Sequence, residues 1–166
     1  MMDNHDIEAL ERRLRAVEDR LSIYNLISAY GPAVDACSIE NNAELWTEDS
    51  VYKVGGLGEY VGHQGLRDMI EGPFHQDVTN GGSGHVLSLP HVHLDGDRAV
   101  ATNYAKLFAH RDGVFTLRRL VVSRWELERR DGQWKIRRRT NVLLDGSPEG
   151  KALLARTPEG LDASNT

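Results

Sequence analysis

The chain has 166 residues, 40% of them hydrophobic and 27% charged, and a formal charge of −5 at neutral pH. That length suits one domain with one core, and the composition is that of a globular rather than a disordered protein. The acidic balance argues against a nucleic-acid partner, for which a basic face would supply most of the affinity. One cysteine, Cys37, excludes an intrachain disulfide and a cysteine-based metal site. No apolar run approaches the ~18 residues of a membrane span. Residues 1–13 are charged and lack an apolar signal core, so a cytoplasmic location with no membrane association is expected.

Residues 6 to about 36 read as a helix. Ile7, Leu10, Leu14, Val17, Leu21 and Tyr24 recur at alternating spacings of three and four, with charges between them. Asp3 or Asn4 can cap its start. At ~1.5 Å per residue this helix is longer than a small domain requires. Its stripe therefore lies across a sheet, pairs with another subunit, or divides between the two. We expect a division, with the first two turns reaching a partner in a homodimer or trimer. Gly31-Pro32 should disturb the helix, because proline removes a donor and clashes one turn back. A restart at Pro32 would re-aim Val34, Asp35 and Cys37.

Residues 41–50 predict a short helix closing on Trp46 and then a turn. Short strands follow at 51–54 and 59–61, and residues 62–74 form a helix with Leu66, Met69 and Ile70 on one face. Residues 76–83 read as a loop. Four long strands come next, about 84–94, 98–111, 114–130 and 133–144. They are joined by Asp95-Gly96-Asp97, Asp112-Gly113 and Asp131-Gly132, each a strong hairpin signal. Consecutive hairpins make an antiparallel meander. Eight arginines (118, 119, 124, 129, 130, 137, 138 and 139) are expected on a solvated exterior. The tail, 146–166, is polar, with a turn of helix at 151–156.

This order predicts a single α+β domain. Its core spans about 7–145, with an N-terminal helix extension at 1–20. A curved sheet wrapped around helices leaves an apolar interior with one mouth, a natural small-molecule site.

Several short motifs then become specific. Residues 24–35 (YNLISAYGPAVD) carry a Tyr, Tyr30, five residues before Asp35. Residues 45–52 (LWTEDSVY) place an aromatic ahead of Asp-Ser-Val. Gly62 and Gly65 open a helix, His85 opens a strand, and residues 131–136 (DGQWKI) form a late hairpin. In order and spacing these resemble the SnoaL-like family of the nuclear-transport-factor-2-like superfamily. The nearest branch holds scytalone dehydratase, bile-acid 7α-dehydratase and hexachlorocyclohexane dehydrochlorinase. The resemblance implies a cone-shaped, cystatin-like α+β barrel with a curved, mixed, mostly antiparallel sheet. It also implies catalytic roles for Asp35, His85 and Tyr30. A β-elimination needs a base beside the leaving group, and a neutral imidazole held by a carboxylate is oriented and kept in one tautomer.

Tyr52, Asn141, Phe108, Trp125 and His110 complete the expected substrate contacts, with Leu87 and Leu89 lining the same pocket. Each residue also has a plain structural reading. Asp35 can cap a helix end, His85 can be an ordinary strand residue, and Tyr30 and Tyr52 can simply pack. Asn141 can be structural, and His110 can sit at the surface beside Asp112-Gly113. His91 and His93 share a strand face but lack a third ligand, so no metal is predicted. Glycines 81, 82 and 84 lack the lysine and helix of a phosphate loop and read as a mobile lip over the mouth.

The resulting expectation is a cofactor-independent lyase, a dehydratase or eliminase, acting on a small, cyclic, largely apolar molecule. Two alternatives stay open. One is a cofactor-free isomerase or polyketide-type cyclase in the same pocket. The other is a non-catalytic binding or assembly subunit resembling ring-hydroxylating dioxygenase small subunits.

Overall fold

The computed structural model describes residues 3–157. The rest of the polar tail lies outside them. Helix α1 (Asn4–Asp35) starts on a reciprocal cap: Asp3 accepts from the Asp6 N–H at 2.8 Å, and the Asp6 carboxylate accepts from the Asp3 N–H at 3.4 Å. It runs through Pro32 to Asp35 without restarting, contrary to the expected break. Helix α2 (Ile39–Ala43) leads into strand β1 (Trp46–Val54), which starts at Trp46, five residues earlier than the sequence suggested. Strand β2 is Gly58–Val61. The expected single helix at 62–74 is two, α3 (Gly62–Glu71) and α4 (Pro73–Thr79), because Pro73 opens a new first turn after Gly72. Much of the predicted 76–83 loop is thus helix.

The expected strand at 84–94 is also two, β3 (Ser83–Leu87) and β4 (His91–Asp95), broken at Leu89-Pro90. Strands β5 (Arg98–Arg111), β6 (Val114–Arg130) and β7 (Gln133–Leu143) match the expected hairpins, and α5 (Pro148–Ala155) follows. Asp112 and Gly113, like Asp131 and Gly132, take positive φ, which sets the tight turns. The sheet order is β2-β1-β7-β6-β5-β3, with β4 also on β5. Every pairing is antiparallel except β1 with β7, so the sheet is mixed. It is curled and does not close.

The C-terminal half of α1 fills the curl. Ile23, Ile27, Tyr30 and Val34 pack with Trp46, Leu66, Ala99, Trp125, Leu127 and Ile136 in one core. At Gly31 an added Cβ would stand 2.4 Å from the His85 carbonyl. Only glycine lets β3 come this near the helix, and that approach carries His85 to the end of α1. No helix among the described residues is long and apolar enough to cross a membrane.

Candidate active site

Strand alternation decides what faces the inside of the curl. Residues Ala105 and Leu107 on β5, Arg119 and Val121 on β6, Arg139 and Asn141 on β7, and Tyr52 and Val54 on β1 all turn inward. With Tyr30, Met69, Phe74, His75, Val78 and His85 they line a cavity of about 280 Å³. That is at the small end of ligand pockets, which run ~300–1,000 Å³.

Asp35 and His85 meet at its edge. The Asp35 carboxylate sits 2.7 Å from His85 Nδ1 and accepts from the His85 backbone N–H at 2.7 Å and from Ser83 Oγ at 2.5 Å. Partial burial pushes the Asp35 carboxyl up. The hydrogen bonds from His85 and Ser83 outweigh this and hold its pKa below the ordinary carboxylate value. An ionised carboxylate at Nδ1 requires a proton there, so in the neutral ring Nε2 is the lone-pair acceptor for a ligand. Ser83 also fastens the glycine stretch: His110 donates its backbone N–H to the Gly82 carbonyl at 2.8 Å. Residues 82 and 83 are therefore tied down on both sides and do not form a free lip.

A polar chain crosses the cavity floor. Ser123 Oγ donates to Asn141 Oδ1 at 2.7 Å, which turns the Asn141 amide nitrogen toward Tyr52. Asn141 Nδ2 donates to the Tyr52 hydroxyl at 2.8 Å, and Tyr30 donates to the same oxygen at 3.4 Å. Tyr52 accepts twice, so its own proton remains for a ligand. Burial raises the Tyr30 pKa well above the ordinary phenol value, with Tyr52 adding to it, so Tyr30 stays a neutral donor.

Arg139 is 1% exposed, a correction to the expected solvated arginine face. It stands in register between Tyr52 on β1 and Trp125 on β6. Its guanidinium lies 4.1 Å from the Tyr30 ring centre, 3.9 Å from Trp125 and 5.0 Å from Tyr52. Nη2 donates to Ser123 Oγ at 3.2 Å, whereas Nε and Nη1 have no partner. Three aromatic faces contribute cation–π energy, roughly 2 kcal/mol when desolvated, but no carboxylate among the described residues neutralises the charge. Arg119 also lines the cavity, and burial lowers its pKa. Arg124 is buried as well.

The remaining expected contacts are placed elsewhere. Phe108 and His110 alternate with the inward Leu107 and Ala109, so they turn to the outer face, where His110 packs on Phe115. Trp125 shares the inner row but is fully buried beneath Arg139 and Tyr30. Leu87 lies against Gly31, and Leu89 is largely exposed. His91 and His93 are exposed on β4, and no three His, Cys, Asp or Glu side chains among the described residues could hold a metal.

The sequence reading missed Arg139, Arg119 and His75. For Arg139 a signal existed, because a strand residue two before Asn141 must share its face. His75 donates Nδ1–H toward the Ile70 carbonyl at 3.1 Å and stacks on His85 with ring centres 6.0 Å apart. Burial, aided by the nearby His85, lowers its pKa and keeps it neutral.

Residues 15–140 match the model of the SnoaL-like domain. A nuclear-transport-factor-2-like protein with a cystatin-like fold from Novosphingobium aromaticivorans is 36% identical. Its alignment covers 93% of this chain and 98% of that one at a TM-score of 0.85. A second protein of that organism, provisionally described as an aromatic ring hydroxylase, is 32% identical over 77% of this chain and 90% of its own (TM-score 0.65). The hexachlorocyclohexane dehydrochlorinase LinA-type3 of Novosphingobium barchaimii shares the fold at 21% identity, over 80% and 90% of the two chains (TM-score 0.70). No curated protein matches the sequence.

Proposed function

Because the chain belongs to the SnoaL-like domain family, we propose that it is a cofactor-independent lyase, a dehydratase or related eliminase. Its substrate is a small, cyclic, largely apolar molecule bearing a leaving group next to an activated C–H. The observation that carries this reading is the 2.7 Å contact between Asp35 and His85 Nδ1 at the edge of a mostly apolar cavity. A base with one nitrogen held and the other free needs no cofactor to remove a proton from carbon. The dehydrochlorinase named among the structural neighbours indicates that the fold can host such chemistry, and fold alone says no more.

In the proposed step His85 Nε2 takes the proton from carbon. The C–H electron pair becomes the second bond of the new alkene. The leaving group departs with its own bonding pair, as hydroxide or halide. A departing hydroxide receives the free proton of Tyr52, and the proton on His85 later returns to the tyrosinate through solvent. A departing halide is met by the uncompensated charge of Arg139. Asp35 stays ionised and stabilises the imidazolium formed in between.

A second reading rests on Tyr52 itself. A free hydroxyl donor lining the same cavity as a base also suits enolate stabilisation, and hence isomerisation. Incubation with hexachlorocyclohexanes and cyclic β-hydroxy ketones, read by mass spectrometry, separates the two. Elimination lowers the product mass by HCl or water, whereas isomerisation leaves it unchanged. Turnover that survives in His85→Ala would contradict both.

A further inference from the structure

The N-terminal part of α1 presents an apolar stripe that its own domain does not use. Ile7, Leu10, Leu14, Val17 and Leu21 are 44–56% exposed, in a helix about 48 Å long. Their spacing of three, four, three, four is the heptad spacing of a coiled-coil seam, with Ile7, Leu14 and Leu21 at a and Leu10 and Val17 at d. Tyr24 continues the d row where the helix enters the body. The opposite side of the helix is already occupied. Asp19 accepts from Arg129 at 2.6 Å and from Trp134 Nε1 at 3.1 Å, and Ile23 and Ile27 are buried in the core. The seam therefore points away from the domain, and a second helix can approach it without meeting the body.

Charge identifies the occupant. The e positions are Glu11 and Glu18, and the g positions are Arg13 and Arg20. In a parallel pair, g of one helix meets the next e of the other, so Arg13 faces Glu18 of the other copy, twice by symmetry. The one like-charged contact, Asp6 with Glu11, falls at the start of the seam, beside the helix cap. In an antiparallel pair, g meets g and e meets e, so Arg13 would face Arg20 and Glu11 would face Glu18. The seam is thus complementary to itself in one direction only. We propose that α1 docks on α1 of a second copy of this chain, the two helices parallel. A seam this short is marginal for isolated peptides, but here the helix is already ordered by its continuation into the core, so pairing costs less conformational entropy.

Sedimentation velocity on the full-length protein tests this, with circular dichroism to confirm that each variant stays folded. Wild type sediments as an oligomer at micromolar concentration. Leu10→Glu with Leu14→Glu, both on the exposed seam, yields a folded monomer. Glu18→Arg decides direction: in the parallel pair it faces Arg13 and raises the dissociation constant by about tenfold or more, whereas in an antiparallel pair it meets Glu11 and tightens association. Adding Arg13→Glu to Glu18→Arg restores the parallel contact. A monomeric wild type, an oligomer indifferent to the double glutamate variant, or tightening by Glu18→Arg would overturn the proposal.

Discussion

Helix α1 presses two carboxylates against the strands, Asp19 near its middle and Asp35 at its end. The two look alike by most measures. Each is partly buried, each takes hydrogen bonds from neighbouring strands, and each has its pKa lowered because those bonds outweigh burial. Their partners differ. Asp19 holds Arg129, which also bonds Asp97 at 2.9 Å and lies over the Trp134 ring at 4.6 Å. A guanidinium does not give up its proton near neutral pH, so that cluster can only fasten the helix to the β6–β7 hairpin. Asp35 holds an imidazole, which can exchange a proton, at the edge of a cavity. A depressed carboxylate pKa therefore marks a hydrogen-bonded carboxylate, and the partner decides whether it serves structure or chemistry.

The largest expected effect separates the two on activity. Asp35→Asn and His85→Ala should each lower kcat by about 100-fold or more, and the double variant should be no worse than the more impaired single. Asp19→Asn should leave kcat within about twofold. Steady-state kinetics on any substrate found by the mass-spectrometric panel reads both. Next comes Arg139→Met. Removing a buried charge with unpaired Nε and Nη1 is often neutral or stabilising, so the melting temperature should hold or rise while kcat falls by about tenfold. A large loss of stability would make Arg139 a structural residue like Arg129.

Smaller effects concern stability. Asp19→Asn should cost about 1.5–3 kcal/mol in urea unfolding, the usual range for hydrogen bonds to charged groups, without changing the cavity. Both carboxylates have folded pKa values below the unfolded value of ~3.9. Their stabilising contribution is therefore complete above that value and is lost as pH falls through the folded values. The Asp19→Asn, Asp35→Asn double variant should show a flatter loss of melting temperature below about pH 4. His75 adds a shallower limb at higher pH. Its folded pKa lies below the unfolded ~6.5, so stability is full above that value and declines below it. His75→Leu should remove that limb.

Much of the fold was legible because hairpin turns and strand periods are local. The Asp-Gly pairs fixed β5, β6 and β7 almost to the residue. The breaks at Pro73 and Pro90 are local as well, because proline opens a new first turn in one case and removes a ladder donor in the other. The continuation of α1 through Pro32 was not legible, because it depends on β3 packing at Gly31. In the site, Asp35, His85 and Tyr30 follow from motif order, and Tyr52 and Asn141 from their places on the first and last strands; the five side chains lie together around the cavity. Phe108 and His110 have the opposite parity to Leu107 on β5, so strand alternation turns them away from the cavity. Arg139 looks like one of many surface arginines by charge alone, whereas its alternation with Asn141 puts it on the cavity face. Which inward residues reach a ligand is a matter of depth, and depth is tertiary: Trp125 shares the row yet lies under Arg139.

In the proposed mechanism Asp35 fixes His85 as the Nδ1–H tautomer and leaves Nε2 free to accept a proton. Nitrogen-15 NMR of labelled protein at mildly alkaline pH reads this without a substrate. In the wild type His85 Nδ1 should resonate as a protonated, pyrrole-like nitrogen and Nε2 as an unprotonated one, and Asp35→Asn should scramble the pair. A His85 ring protonated at Nε2 in the wild type would contradict it.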